Sequence, residues 1–386
     1  MRIALCLEYP IGLRGGVSVL VETLLEELVQ RGHQVVLVSE DTPETLRAAA
    51  AGKWVAEHFH WNRLNPSAAA AKRLAGQLAG ARVELAHFHF GGTYGWGNRF
   101  PFRCPISHLN RRGIPCVSTV HLAVGLLEGY CGPQKPAWFK VLLLPLAWCG
   151  KMHQLRHTRR EIAVSQTDLK KLRRWYRPLQ HHFTQIYHSR LRAETPPPEN
   201  AARDPVILNV GHLAWRKGQF VLAEAFAQVA ARYPAWTLQL AGQDEDRITA
   251  RQILQLARDS RLADRIQLLG ERADTPDLMR RAAIYVQPSY WEGLPLALQE
   301  AMYRGCAAIG SRIGANQELI AERQNGLLFD PGQVGQLARA LGELMQDAGK
   351  REHMGAAAGR SIRTLEMTVA GMVKRHLELY ATVKPG

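Results

Sequence analysis

Hydrophobic positions along the chain alternate between short continuous runs and helical repeats. The clearest repeat places apolar residues every three or four positions from Val17 to Val29 and ends at Arg31-Gly32-His33. This spacing predicts an amphipathic helix closed by a glycine. Apolar runs at 3–7 and 35–38 flank it and predict buried strands, as do runs at 83–90 and 114–120. Strands that alternate with helices predict a parallel sheet.

The second half of the chain repeats the same alternation more regularly. Strands are predicted at 206–210, 237–241, 266–269, 284–287, 307–309 and 327–329, and helices near 218–231, 247–260, 275–282 and 295–304. The tail from Gln333 is predicted to be helical. A run of three prolines, 196–198, predicts a linker at 196–205. We therefore expect an α/β protein with two doubly wound, Rossmann-like domains, 1–195 and 206–364, followed by a helical tail, 365–386.

Two carboxylates surround the predicted start of one helix. The strand ending at Gln287 stops at Pro288, and Pro295 suits the first position of a helix, where its missing N–H costs nothing. Glu292 then lies in the loop and Glu300 on the second helical turn. Together with the free N–H groups of the helix start, they suit an anionic ligand with hydroxyls at both ends. The alternative is a pair of solvated glutamates.

Glycine-bearing loops precede two of the predicted helices. Gly15-Gly16 opens the first helix, and Gly211 is followed by Arg216-Lys217 just before another. A glycine loop at a helix start can approach a phosphate or sugar, and the two cations can hold a diphosphate. The alternatives are an ordinary tight turn and a solvated surface pair.

Histidines mark the ends of the predicted strands of the first domain. His121 directly follows a buried strand, where open α/β sheets place ligand contacts, although a capping or packing histidine fits equally. His87 and His89 share one side of their strand, but no third ligand follows at suitable spacing, so we expect no metal there.

The composition favours an anionic partner and a reducing compartment. Lys and Arg number 49 against 34 Asp and Glu, a formal charge of +15. The six cysteines form no C-x-x-C pair, which predicts reduced thiols and a cytoplasmic location. A basic, aromatic stretch at 138–177 predicts either attachment to the inner, anionic face of the cytoplasmic membrane or a core helix with a solvated charged face. At 386 residues the chain is long enough for two cores.

An ordered set of motifs is similar to that of the family-4 retaining glycosyltransferases. The set comprises Gly15-Gly16 before the first helix, Val210-Gly211 before Lys217-Gly218, Ala241-Gly242, and the E-x7-E motif from Glu292 to Glu300. The resemblance covers almost the whole chain. It implies the GT-B fold, with two Rossmann-like domains facing a central cleft and a C-terminal helix crossing back to the first domain. It also implies transfer with retention from a nucleoside-diphosphate sugar, with no metal or other cofactor.

The resemblance also implies roles for individual residues. Glu300 would bind the ribose, Glu292 the donor sugar, and Lys217 the diphosphate, while His121 would lie beside the sugar. The implied catalytic residues are His121, Glu292 and Lys217. The implied donor-binding residues are Gly15, Gly16, Gly211, Arg216, Lys217, Glu292, Gly293, Leu294, Pro295, Leu296 and Glu300.

Three positions depart from the family pattern. His212 stands where the family often has arginine, so Arg216 beside Lys217 has to compensate. Leu122 follows His121 where an acidic residue is common. Tyr187-His188-Ser189 stands where an Asn-Gly pair is common.

We therefore expect an enzyme that transfers sugar to a cell-envelope acceptor, such as lipopolysaccharide or a lipid-linked glycan. The D-x-D at Asp244-Glu245-Asp246 is interpreted as a solvated helix start and not as a metal clamp. No nucleic-acid partner is expected. Two alternatives stay open: a basic nucleic-acid-binding protein, and a nucleotide-sugar epimerase of the same fold. The sequence leaves the base, the sugar and the linkage open.

Overall fold

A computed structural model describes residues 1–11, 15–125, 137–192 and 203–383, and for 50 and 137–143 the backbone alone. The chain divides into two compact units. Unit 1 comprises Met1–Arg190 with Val369–Gly386, and unit 2 comprises Leu191–Thr368. Residues 196–202 of the predicted linker lie outside the described residues.

Unit 1 is built on a seven-stranded parallel sheet in the order β3-β2-β1-β4-β5-β6-β7. Its strands are β1 Arg2–Leu7, β2 Gln34–Ser39, β3 Glu57–His60, β4 Leu85–Phe90, β5 Cys116–Val120, β6 Arg160–Ala163 and β7 Phe183–Gln185. Its helices are α1 Gly16–Gln30, α2 Pro43–Ala48, α3 Ala68–Gly80, α4 Pro105–Asn110, α5 Ala137–Arg156, α6 Gln166–Trp175 and, from the end of the chain, α14 Val369–Val383.

Unit 2 is built on a six-stranded parallel sheet in the order β10-β9-β8-β11-β12-β13. Its strands are β8 Asp204–Val210, β9 Thr237–Ala241, β10 Ile266–Gly270, β11 Ala282–Gln287, β12 Ala307–Ser311 and β13 Gly326–Phe329. Its helices are α7 Gln219–Val229, α8 Thr249–Asp259, α9 Thr275–Arg281, α10 Leu296–Tyr303, α11 Gly314–Leu319, α12 Val334–Gln346 and α13 Ala348–Thr364.

The hydrophobic pattern explains which faces are buried. Helix α1 buries Leu20, Val21, Leu24 and Leu28 on one face, as its repeat predicts. The central strands are covered on both sides and are therefore mainly apolar; every residue of β11 is buried. The predicted α/β class with two doubly wound domains is confirmed.

Several predicted boundaries were wrong. Pro295 lies one residue before α10 instead of at its first position. Residues 314–319, where no helix is predicted, form the short helix α11. The tail is broken into α12, α13 and α14, because Asp347 caps the start of α13 and residues 365–368 leave the helical path.

The strand orders define where each sheet can bind a ligand. The chain reverses direction across the sheet between β1 and β4 in unit 1, and between β8 and β11 in unit 2. Open α/β sheets bind ligands outside the carboxyl ends of the strands at such a reversal. A ligand is therefore expected at the loops after β8 and β11 in unit 2, and at those after β1, β4 and β5 in unit 1.

Candidate functional site

A mostly buried ion pair joins the loops that follow β8 and β11. Lys217 Nζ donates to Glu292 Oε1 at 2.6 Å, and only 20% and 12% of the two side chains are exposed. The same oxygen accepts from Ser289 Oγ at 2.7 Å and from Gln287 Nε2 at 3.0 Å. Three donors on one oxygen hold the carboxylate in a fixed position. Two residues that the sequence pattern singled out separately thus meet at the strand-order reversal of unit 2.

Backbone contacts fix the loop that carries Lys217. Residues Trp215–Lys217 form a single 3-10 turn that ends at Gly218 with φ +70°. A Cβ at Gly218 would lie 2.2 Å from the carbonyl oxygen of Pro288, so only glycine fits there. Tyr290 N–H also donates to the Arg216 carbonyl at 2.9 Å. The two loops are therefore packed backbone to backbone.

The loops that carry Gly211 and Gly242 also pack closely against each other. Gly242 has φ +155°, and a Cβ there would lie 2.0 Å from the Gly211 oxygen. A Cβ added at Gly211, in contrast, would meet no heavy atom of the described residues within 4 Å. The loop after β8 thus packs against Gly242 at the Gly211 carbonyl, while the side of Gly211 where a Cβ would lie has no described atom against it.

Glu300 lies on the second turn of α10, as predicted, and is 7% exposed. Tyr285 lies on the neighbouring strand β11. Burial raises the pKa of its hydroxyl, and the negative charges of Glu300 and Glu292 raise that pKa further. The hydroxyl oxygen lies 3.0 Å from Gln287 Oε1 and 3.3 Å from the Val210 carbonyl oxygen, and its one proton is shared between these two acceptors. Tyr285 therefore stays neutral and supports the floor of the site.

The start of α10 presents backbone N–H groups without a side-chain cap. Pro295 occupies the position before the helix and Gly293 is buried, while Leu294 and Leu296 are half-buried. The uncapped N–H groups of a helix start carry partial positive charge. This segment can accept an anion.

Arg216 and His212 are paired with a carboxylate of the next loop. Arg216 Nη2 lies 2.9 Å from Glu245 Oε2, and His212 Nδ1 lies 3.5 Å from the same oxygen. These side chains are about one-third to one-half exposed, so solvent screens the pairs. Arg216 therefore lies near Lys217 in sequence but engages a different carboxylate.

The aspartates of the D-x-D motif accept hydrogen bonds from backbone N–H groups of their own loop and of Trp215. Asp244 Oδ1 accepts from Arg247 N–H, and the Asp246 carboxylate accepts from the N–H groups of Trp215, Ile248 and Thr249. Burial raises the pKa of Asp246, but these hydrogen bonds outweigh it and lower the pKa overall. The contacts are those of a helix start.

In unit 1, Gly15 and Gly16 lie at the start of α1, as predicted. Gly15 is the residue before the helix and has no side chain with which to cap it. A Cβ at either glycine would meet no heavy atom of the described residues within 4 Å, and Gly16 is exposed. Packing within the described chain therefore does not require glycine here, whereas close approach of a ligand would.

His121 follows β5 and belongs to a cluster of five histidines. Its Nε2 lies 3.1 Å from His89 Nδ1, and its ring lies 5.2 Å from the ring of His188. His87 and His376 complete the cluster, with ring centroids 5.6 Å apart. His87 is held by the Tyr380 hydroxyl at 2.6 Å and by Thr119 Oγ1 at 2.8 Å. Helix α14 thus packs on strand β4 of the same unit through this cluster.

Burial keeps these histidines neutral. It lowers the pKa of His121 to about 3 and that of His376 to about 4, and it lowers the pKa of the other three well below the usual value. Within the described residues, His89 Nε2, both His188 ring nitrogens and His376 Nε2 have no hydrogen-bond partner. No set of three or more His, Cys, Asp or Glu side chains in the described part of the chain is arranged to hold a metal ion.

Sequence reasoning missed two members of this cluster. His188 and His376 are separated from His121 by 67 and 255 positions, and no local pattern connects them. His188 was noted only as a departure from the family pattern. The shared period of His87 and His89 was the one available signal, and the structure places their rings 4.1 Å apart.

Comparison with known proteins covers both units. The model described as Glycosyltransferase Family 4 matches residues 14–188, and the model described as Glycosyl transferases group 1 matches residues 192–361. HepE from Anabaena, solved in complex with UDP, superposes with a TM-score of 0.76 at 17% identity over 99% of this chain and 100% of that one.

Curated relatives match over shorter segments. The lipopolysaccharide core biosynthesis glycosyltransferase LpsE of Rhizobium meliloti is 27% identical over 191 residues, which is 50% of this chain and 53% of that protein. The lipopolysaccharide core biosynthesis mannosyltransferase LpcC of Rhizobium leguminosarum bv. viciae is 30% identical over 159 residues, 40% and 44% of the two. The chain thus spans about half the length of these relatives. With the two family models and the shared architecture, the chain belongs to the family-4-like glycosyltransferases with the GT-B fold.

Proposed function

We propose that the protein transfers a sugar from a nucleoside-diphosphate sugar to a cell-envelope glycan, with retention and without a metal. The observation that carries the proposal is the Lys217–Glu292 pair at the strand-order reversal of unit 2, fixed by Ser289 and Gln287. It supplies a cation for a diphosphate and an oriented carboxylate for sugar hydroxyls at one place.

The chemistry of transfer suits this arrangement. When the sugar–phosphate bond breaks, negative charge develops on the departing diphosphate. The Lys217 ammonium and the uncapped N–H groups at the start of α10 would stabilise that charge, because both are in place before the reaction. Glu300 would accept hydrogen bonds from the ribose hydroxyls. In this scheme the protein supplies the positive charge that a metal ion supplies elsewhere.

His121 fits the role of a neutral contact to the donor sugar. Because its pKa is lowered to about 3, it is uncharged near neutral pH and can accept or donate one hydrogen bond. Its Nε2 is engaged with His89, which leaves Nδ1 for a hydroxyl. His89 would thereby set which tautomer His121 presents.

The names of relatives support the donor and acceptor classes. HepE was solved with UDP and with UDP-glucose, and LpsE and LpcC are described as acting in lipopolysaccharide core biosynthesis. We therefore favour a UDP-linked hexose as donor and a lipopolysaccharide or lipid-linked glycan as acceptor.

Thermal stabilisation by nucleotides tests the donor site. UDP, GDP, ADP and the matching nucleotide sugars are added in EDTA to the wild type, to Glu300→Ala and to Glu352→Ala, an exposed glutamate on α13. A ligand at 100 times its Kd should add about 2.7 kcal/mol to the free energy of unfolding. We expect one nucleotide series to stabilise the wild type and Glu352→Ala but not Glu300→Ala.

Two results would oppose the proposal. Stabilisation that requires manganese would contradict metal independence, and equal stabilisation of Glu300→Ala would remove that residue from the site. Release of nucleoside diphosphate only when an acceptor is present separates a transferase from an epimerase. The anomeric configuration of the product, read by NMR, tests retention.

A further inference from the structure

The positive charge of the protein is concentrated in one segment. Residues 85–190 contain 16 Lys and Arg but only three Asp and Glu. Residues 1–84 contain nine of each kind, and residues 191–368 contain 21 of each. Nearly all of the formal charge of +15 therefore arises from one part of unit 1, while unit 2, which carries the proposed donor site, is balanced.

The few carboxylates of this segment do not offset the charge at the surface. Glu161 is fully buried, where Lys151 Nζ donates to it at 2.8 Å. Asp168 is 1% exposed and accepts from Ala123 N–H at 3.1 Å. The third, Glu128, lies outside the described residues. Within the described part of 85–190, the exposed charges are thus all positive.

Two exposed apolar side chains lie among these cations. Phe102 is 49% exposed and Leu146, on the outer side of α5, is 39% exposed. The ring of Phe102 lies 4.6 Å from that of His153, which follows Leu146 by two helical turns and so shares its side of α5. The Arg111 guanidinium lies 5.7 Å from the Phe102 ring. These contacts connect the end of α4 to the outer side of α5.

The backbone at Phe102 is strained, while the side chain stays exposed to solvent. Its φ is +65°, a left-handed conformation that bulky residues rarely adopt. The Phe102 carbonyl accepts from His108 Nε2 at 2.8 Å, which fixes the turn. Strain that presents an aromatic ring to solvent, in place of burying it, indicates a surface selected for contact.

A second contact joins α5 to α6 on a different side. Trp148 Nε1 donates to the Trp175 carbonyl at 3.2 Å, but Trp148 lies two positions after Leu146 and so points away from the outer side of α5. We therefore define the basic face as the exposed residues Phe102, Arg103, Arg111, Arg112, Leu146 and Arg156.

We propose that the basic face docks the protein on an anionic phospholipid bilayer. Exposed cations attract the surface charge of such a bilayer, and half-exposed Phe and Leu side chains can enter its interfacial region. None of the described helices combines the length and apolarity needed to cross a membrane. The face differs from the predicted stretch 138–177, since it includes Phe102 and the arginines that flank α4.

Apolar side chains distinguish a bilayer from a polynucleotide as the partner. A polynucleotide surface is read mainly by cations that contact phosphates, and its binding falls steeply with salt. Phe102 and Leu146 add nothing to phosphate contacts, whereas they strengthen partitioning into a bilayer. The bilayer is therefore the partner that uses the whole face.

Flotation with lipid vesicles tests the docking of the full-length protein. Vesicles of phosphatidylcholine alone are compared with vesicles that contain 30 mol% phosphatidylglycerol. We expect binding to the anionic vesicles and little to the neutral ones. Each arginine contributes about a fivefold factor, so Arg111→Gln/Arg112→Gln should weaken partitioning about 25-fold. Phe102→Ser/Leu146→Ser should weaken it about tenfold.

A matched triple variant in unit 2 serves as the control. Arg251→Gln/Leu254→Ser/Arg258→Gln removes two exposed cations and one exposed leucine from one side of α8, and we expect it to bind like the wild type. Thermal midpoints close to that of the wild type verify folding of every variant. Equal binding to neutral and anionic vesicles, no binding to either, or an equal loss in the control would overturn the proposal.

Competition with a single-stranded polynucleotide addresses the other partner. If the polynucleotide binds more tightly than the vesicles, and Phe102→Ser/Leu146→Ser leaves that binding unchanged, the face recognises nucleic acid and the bilayer proposal is wrong. These measurements need no donor or acceptor, so their failure leaves the proposed sugar transfer untouched.

Discussion

Removing one buried histidine should change how the stability of unit 1 depends on pH. His376 on α14 is fully buried, and burial lowers its pKa to about 4 despite the hydrogen bond between its Nδ1 and the Met372 carbonyl. In the unfolded chain a histidine titrates near 6.5. Between about pH 6.5 and pH 4, His376 therefore binds a proton in the unfolded state but stays neutral in the folded state. The free energy of unfolding is highest above pH 6.5 and falls as the pH drops through this window.

The size of the effect follows from the shift. A difference of about 2.5 pKa units at roughly 1.4 kcal/mol each gives about 3 kcal/mol between pH 7 and pH 4 from His376 alone. His376→Phe should therefore lose about 3 kcal/mol less than the wild type over this range, whatever its stability at pH 7. Urea unfolding at pH 7, 5.5 and 4 measures this.

A variant without a change in titration provides the reference. Val373→Ala on the same helix removes two methyl groups of a fully buried side chain and should lower stability equally at each pH. If His376→Phe keeps the pH dependence of the wild type, His376 is not held neutral by burial, and the description of the histidine cluster fails.

Other predictions concern single contacts. Gly218→Ala should cost more than about 1 kcal/mol and weaken nucleotide binding, because a Cβ would meet the Pro288 oxygen at 2.2 Å; urea unfolding and calorimetry measure the two effects. Lys151→Met should cost about 3 to 5 kcal/mol by leaving Glu161 charged and buried, and adding Glu161→Gln should recover part of that loss in the same unfolding assay. Glu292→Gln should lower kcat/KM for the nucleotide sugar roughly 10- to 100-fold, since hydrogen bonds to a charged group contribute about 1.5 to 3 kcal/mol. It should leave nucleoside-diphosphate binding nearly unchanged, and an equal loss in both would contradict the assigned role.

Local pattern was sufficient to predict the fold and the positions of several candidate site residues along it. Helix α1 follows from its apolar repeat, and the position of Glu300 on α10 follows from the proline and glycine that precede it. Each of these signals lies within one turn or one strand. The strand order β10-β9-β8-β11-β12-β13 then brings Lys217 and Glu292 together, although 75 positions separate them.

Long-range contacts and weakly patterned elements were not predictable in this way. Strand β7 has three residues and β3 has four, too short for a period of two to stand out from the background. The meeting of His121 with His188 and His376 depends on where α14 packs, which no local spacing specifies. The uneven charge was visible in the sequence, but its arrangement as one face with Phe102 required the structure.

The most direct test of the proposed donor site is a crystal structure of the protein grown with UDP or GDP in EDTA. The account predicts a nucleotide whose diphosphate contacts Lys217 Nζ and the backbone N–H groups of α10, with the ribose hydroxyls at the Glu300 carboxylate. A nucleotide bound elsewhere, or one that reaches this position only through a divalent cation, would contradict it.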